Sequence, residues 1–108
     1  MLFRSLQPVT PDTTLEISGW LNRPPFPNDE RMRATFAHAQ EIAARIGMQL
    51  KAGGSGGGSD GNFVAPLGIA LLDGLGTCGE GLHSEREYIF TRSLPERARL
   101  VAELVRAW

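Results

Sequence analysis

The sequence predicts an α/β fold, and three observations carry that prediction. Apolar residues recur at helical spacing from about Asn28 to Ile46 and again from Ser93 to Trp108. Between those helices, Ile69-Ala70-Leu71-Leu72 is an unbroken apolar run, the pattern of a strand buried on both faces. A glycine-dense loop and a short helical stretch precede that run, so the chain reads helix, strand, loop, helix, strand, turn, helix.

Taken in order, Leu2, Phe3 and Leu6 share a helical face, but Pro8 and Pro11 end any helix there at once. From Thr13 to Ser18, Thr14, Glu16 and Ser18 alternate with Thr13, Leu15 and Ile17, the period-two signature of a half-exposed strand. Leu21-Asn22-Arg23-Pro24-Pro25-Phe26-Pro27 follows as a stiff extended connector, because each proline biases the residue before it away from helix. That composition shift reads as a domain boundary.

The first long helix carries Met32, Phe36, Ala39, Ile42, Ala43 and Ile46 on one face, with Asn28 or Asp29 as N-cap and Gly47 as stop. His38 falls on its polar side, beside Thr35 and Glu41, where a solvated histidine needs no further explanation. Met48 to Lys51 reads as a short strand leading into Gly53-Gly54-Ser55-Gly56-Gly57-Gly58-Ser59. Ser59 and Asp60 are good N-cap types, and Asn62 to Leu67 makes one or two helical turns closed by Gly68. At the C-terminus, Ser93-Leu94-Pro95-Glu96 has the form of a capping box ahead of a stripe of Leu94, Ala98, Val101, Leu104, Val105 and Trp108.

With 108 residues, 42% of them hydrophobic, the chain can hold one core and would bury roughly two-thirds of its unfolded surface on folding alone. A net charge of -1 with scattered Lys and Arg offers no footprint for nucleic acid. No apolar run approaches the length of a membrane span, and no secretory leader is recognisable at the start. Cys78 is the one cysteine, so no disulfide framework exists within the chain, and a reducing, cytoplasmic setting fits.

Residues that can carry chemistry gather between Gly53 and His83. Glycines let a backbone turn sharply and bring bare N–H groups against a ligand, and a histidine in a turn rich in glycine (Gly74, Gly76, Gly79, Gly81) can swing toward a metal. The bland readings are a Gly/Ser spacer and a solvated loop histidine. A zinc site needs three or four donors, and Glu80, Glu85 and Glu87 near His83 match no established ligand spacing. Arg23, between Asn22 and Pro24, can clamp a carboxylate through its planar fork, whereas Asp60 suits a helix start. Gly56-x-Gly58-x-x-Gly61 and Gly74-x-Gly76-x-x-Gly79 both fit a dinucleotide fingerprint. The second lacks a following helix, however, and the first follows only a short strand pattern.

In order along the chain stand Asn22-Arg23-Pro24-Pro25, Gly56-Gly57-Gly58-Ser59-Asp60-Gly61-Asn62-Phe63, Gly81-Leu82-His83-Ser84-x-x-Glu87-Tyr88 and the Ser93-Leu94-Pro95-Glu96-Arg97 helix. This series resembles the C-terminal part of a zinc metallopeptidase of the bacterial glutamate carboxypeptidase, acetylornithine deacetylase and succinyl-diaminopimelate desuccinylase family. The resemblance implies a partial zinc-exopeptidase-like α/β/α sandwich with a remnant of an inserted lid, or dimerisation, domain. Residues 1–26 would end the lid, and 27–108 would be the C-terminal portion of the catalytic domain. It also implies that the glycine loop is native rather than a spacer.

By the same resemblance, His83 is one ligand of a two-zinc centre, Gly57 and Gly58 line the substrate pocket, and Arg23 with Asn22 binds the substrate's carboxylate. Glu87 would support the site from behind. The other acidic and histidine ligands and the catalytic glutamate belong to the first half of such enzymes and have no counterpart here. The expectation is therefore an inactive part of an amidohydrolase that cleaves an amide next to a carboxylate-bearing residue, in a small peptide or an N-acyl amino acid. It would bind zinc weakly or not at all, pair with the missing N-terminal part of the same protein, and self-associate. The alternative is a small non-catalytic assembly or binding module that uses Thr13 to Ser18 as an open edge.

Overall fold

A computed structural model describes residues 5–108 and contains three helices and one short hairpin: α1 (Glu30–Arg45), α2 (Gly61–Val64), β1 (Gly79–Glu80), β2 (Tyr88–Ile89) and α3 (Ser93–Ala107). The expected helix over the first residues lies largely outside the described residues. α1 starts as the sequence predicts. Asp29 is extended at the N-cap, and its Oδ1 accepts the Met32 N–H at 2.9 Å, satisfying one of the donors a helix start leaves free. The helix ends in a Schellman arrangement. Gly47 adopts φ 75, its N–H donates to the Ala44 carbonyl at 3.0 Å, and the Met48 N–H reaches back to Ala43 at 2.9 Å.

Packing of α1 on α3 makes the core. Ala39, Ile42 and Ala43 meet Leu100 and Leu104, with Ile46, Met48, Leu50, Leu72 and Leu75 packed around them. The small Ala39 and Ala43 let the helices approach closely. Thr35, read from the sequence as polar surface, is buried on this face, and its hydroxyl donates to the Arg31 carbonyl at 2.9 Å. His38 is half-buried, its ring 4.9 Å from that of Trp108 in an edge-on contact.

The short helix after the glycine loop forms as predicted: α2 runs into a 3-10 turn at Ala65–Leu67, and Gly68 closes it with φ 79. Asp60 occupies the N-cap position without a side-chain bond, and Ser59 supplies the cap instead, its Oγ accepting the Gly61 N–H at 2.9 Å.

Three predicted strands do not form ladders. Thr13–Ser18, Met48–Lys51 and Ile69–Leu72 have no regular secondary structure, because a strand needs a neighbour to take its backbone groups, and among the described residues none of the three is hydrogen-bonded to another strand. Instead β1 pairs antiparallel with β2, Gly79 opposite Ile89 and Glu80 opposite Tyr88, in a region read from the sequence as a turn.

α3 also departs from expectation at two points. Its capping box is not made, because Ser93 lies inside the first turn, where its Oγ donates to the Phe90 carbonyl at 2.7 Å and accepts the Cys78 N–H at 3.0 Å. Its buried side is Leu100 and Leu104, while Leu94, Val101, Val105 and Trp108 stay exposed. With α1 as its helical partner, α3 buries one line of apolar residues and leaves the other open.

The molecule is correspondingly open. Its radius of gyration is 19.8 Å, against about 13 Å for a compact domain of this length. Its accessible surface is 9058 Å², against roughly 5,900 Å² for a compact monomer of this mass. The two-thirds burial expected of an independently folding chain is not reached.

Stability should therefore hinge on few residues. Leu100, with no exposed surface, should cost about 2–5 kcal/mol on replacement by Ala, whereas Val105→Ala, at 77% exposure, should stay within about 0.5 kcal/mol. Urea titration of the two variants checks this, and equal effects would mean that α3 packs with a different face.

Candidate metal and substrate site

The connector and the glycine loop meet. Asn62 is 8% exposed and uses both ends of its carboxamide: Nδ2 donates to the Pro24 carbonyl at 2.8 Å, across 38 residues of sequence, and Oδ1 accepts the Ser59 N–H at 2.8 Å. This clip brings Arg23 onto the loop. Its Nη1 donates to the Ser59 carbonyl at 3.3 Å, and its Cζ sits 4.7 Å from the centre of the Phe63 ring, within cation–π range. A side chain at Gly58 would crowd this approach, since a Cβ there would lie 3.0 Å from Arg23 Nη1 and 3.1 Å from its Cδ.

Thus Arg23 and Gly58, 35 residues apart in sequence, share one cluster. Gly57 stands next to it, exposed, with its N–H donating to Ser55 Oγ at 3.1 Å. Asn22 is exposed and makes no hydrogen bond among the described residues. Sequence reading did not single out Asn62 and Phe63 as holders of Arg23. The available signal was the Ser59-x-x-Asn62 spacing, which permits the reciprocal side-chain bonds of a capping motif.

His83 belongs to a second cluster, the tip of the β1–β2 hairpin. Gly81, with φ 73, opens a turn closed by the Ser84 N–H to the Gly81 carbonyl at 3.0 Å, and a second turn is closed by the Glu87 N–H to the Ser84 carbonyl at 3.0 Å. His83 is third in the first turn and takes φ 63, the left-handed hand that a type II turn asks of that position and that usually selects glycine. Its N–H donates to Glu87 Oε2 at 3.3 Å, while its ring is exposed and unbonded among the described residues.

The hairpin beneath is anchored on α3. The Phe90 N–H donates to the Cys78 carbonyl at 2.8 Å, Ser93 brackets Cys78 as described, and Arg97 Nη2 donates to Cys78 Sγ at 3.3 Å. Across the two strands, the Tyr88 hydroxyl donates to Glu80 Oε2 at 2.9 Å. That bond, and after it desolvation, holds the Tyr88 phenol above its ordinary value of 10.0. The neutral phenol is the favoured form, so the bond is intact below that value and is lost as pH rises through the raised one.

Among the described residues, no group of three or more His, Cys, Asp and Glu side chains is placed to hold a metal. His83 fits zinc as a single donor, with a free imidazole on a fixed turn. No hydrogen bond or ring contact joins it to Arg23 or Gly58. Cavities of about 260 and 230 Å³ lie elsewhere, between Phe36, Leu50, Leu72 and Arg97 and against Gln40 and Met48.

Comparison with known proteins agrees with the motif order given above. Residues 7–107 match the peptidase family M20/M25/M40, and the chain belongs to that family. Carboxypeptidase G2 of Pseudomonas sp. (strain RS-16) is similar to it, at 26% identity over 107 residues, covering 94% of this chain and 25% of that protein. The chain therefore spans about a quarter of the length of this curated relative. No solved structure matches it. No helix among the described residues is long and apolar enough to cross a membrane.

Hairpin integrity should depend on Gly79, where an added Cβ would collide with the Tyr88 carbonyl, and not on Gly76, where it would meet nothing within 4 Å. Gly79→Ala should abolish amide-exchange protection at Phe90 and Gly76→Ala should leave it. Protection surviving in both would refute the pairing.

Proposed function

We propose that this chain is the C-terminal part of a zinc-dependent amidohydrolase, a carboxypeptidase or deacylase, that cleaves an amide bond next to a carboxylate-bearing residue. The observation that carries the reading is the meeting of Arg23 with Gly58 and Ser59. It places a cationic fork beside a glycine loop whose bare backbone a ligand can approach closely, a pairing suited to a carboxylate and the amide beyond it. Family membership and the likeness to a protein named a carboxypeptidase support it.

In this reading residues 1–26 end a lid domain, and 27–108 form one portion of an α/β/α sandwich. Arg23 and Asn22 bind the substrate carboxylate, and the Gly57–Gly58 loop lines the pocket. His83 donates its imidazole to one zinc, and Glu87, through the His83 N–H, keeps the turn in shape. Zinc, when bound, supplies Lewis-acid activation of the scissile amide. The remaining ligands and the general base come from the rest of the polypeptide, so the 108-residue chain alone is inactive and binds zinc weakly at best. The substrate class is a small peptide or an N-acyl amino acid.

The exposed Leu15, Ile17 and Trp20 and the open side of α3 favour a second reading, that of a non-catalytic assembly module. Under either reading the isolated chain self-associates.

In the complete polypeptide, His83→Ala should lower zinc content by one equivalent and reduce turnover by at least about a hundredfold, by the usual cost of removing a metal-holding group. Unchanged metal content, measured by atomic emission after dialysis, would reject the role of His83. For the isolated chain, calorimetric titration should show no stoichiometric zinc binding below micromolar concentration, and tight binding would favour a self-sufficient site.

A further inference from the structure

Resting on the reading of Arg23 just given, we propose that Asn62 and Phe63 are positioning residues that present the side-on edge of the Arg23 guanidinium, Nε with Nη2, to the substrate carboxylate. An arginine side chain is long, and holding it in one rotamer costs conformational entropy before any ligand arrives. Three contacts hold it here. Asn62 Nδ2 fixes the main chain one residue along, at the Pro24 carbonyl; Nη1 is spent on the Ser59 carbonyl; and Phe63 covers one face of the guanidinium.

What remains of the fork is specific. Nε and Nη2 have no partner among the described residues, and these two parallel donors match the spacing of two carboxylate oxygens. A carboxamide offers one such oxygen and meets the second donor with its own N–H. The cluster is therefore a device for telling a carboxylate from its amide, and its accuracy depends on residues that do not touch the substrate. Asn62 fits that role because both of its carboxamide ends are consumed inside the protein. Phe63 fits it because its ring offers Arg23 an uncharged, rigid platform.

The test compares kcat/KM of the complete polypeptide for an N-acyl glutamate with a free α-carboxylate and for the same compound as its α-carboxamide. Phe63→Leu and Asn62→Ala should each reduce the preference for the carboxylate roughly tenfold, mainly through KM, about the effect of misaligning one charge-assisted bond. Phe63→Tyr, which keeps the ring face, should restore it, and in an Arg23→Ala background neither substitution should alter the ratio further. If Arg23→Ala leaves the preference intact, the assignment of Arg23 fails and this inference with it. If Arg23→Ala erases the preference while Phe63→Leu and Asn62→Ala keep it, the assignment stands and the positioning role is overturned. Should Asn62→Ala not fold, judged by its melting transition, Phe63→Leu decides alone.

Discussion

The buried carboxamide of Asn62 is the constraint on which the candidate substrate cluster depends. A connector with prolines at 24, 25 and 27 has few backbone donors of its own and no ladder to join, so it stays where a side chain holds it. Closing a flexible loop of 38 residues would cost about 3 kcal/mol, more than two hydrogen bonds of about 1 kcal/mol each return. The closure is feasible because the loop is not flexible: 16 of its residues are α1, already ordered by packing on α3. The same start of α1 adds a second tie, Arg31 Nη2 to the Ala65 carbonyl at 3.1 Å, which fixes the far end of the short helix that carries Asn62.

A parallel arrangement holds the histidine turn. Its hairpin has two residue pairs, too short to persist unaided, and it is secured where Ser93 and Arg97, in the first turns of α3, reach Cys78. Each cluster is thus moored to the N-terminal part of one long helix, the arginine cluster to α1 and the histidine turn to α3. Since α1 and α3 share one core, both moorings rest on Ala39, Ile42, Ala43, Leu100 and Leu104. The order of both clusters is thereby coupled to that small set of core residues, the fully buried Leu100 among them.

What could be read from the sequence follows from how local each cause is. α1, its Asp29 cap and its Gly47 stop were legible, because caps and helical periodicity are set within a few residues. So was the short helix ending at Gly68. The strands were not, because Thr13–Ser18 and Ile69–Leu72 carry strand patterns but a pattern provides no neighbour. The Ser93 capping box misled for a related reason: a hydroxyl able to cap its own helix found the Phe90 carbonyl and the Cys78 N–H instead. In the candidate site, Arg23, Gly58 and His83 stood out by residue type and motif order. The local bond of Asn62 to Ser59 had a signal in their spacing, but its tie to Pro24, 38 positions away, had none.

The unpaired strand patterns and, in the proposed reading, the need for further metal donors are of one kind. A ladder needs an adjacent strand and a zinc centre needs further donors, and both are contacts between segments distant in sequence. The open side of α3 adds a third, an apolar face left largely exposed, with Val105 77% and Trp108 58% accessible. A chain that matches 25% of its curated relative can show all three at once and still order its own share of a site. Arg23 and His83 are held by bonds contained wholly within the described residues, Ser59 and Phe63 for one and Glu87 for the other. The Arg23 side chain and the backbone turn at His83 are therefore ordered within this chain, and for those groups the cost of ordering is not left to be met at the moment of binding.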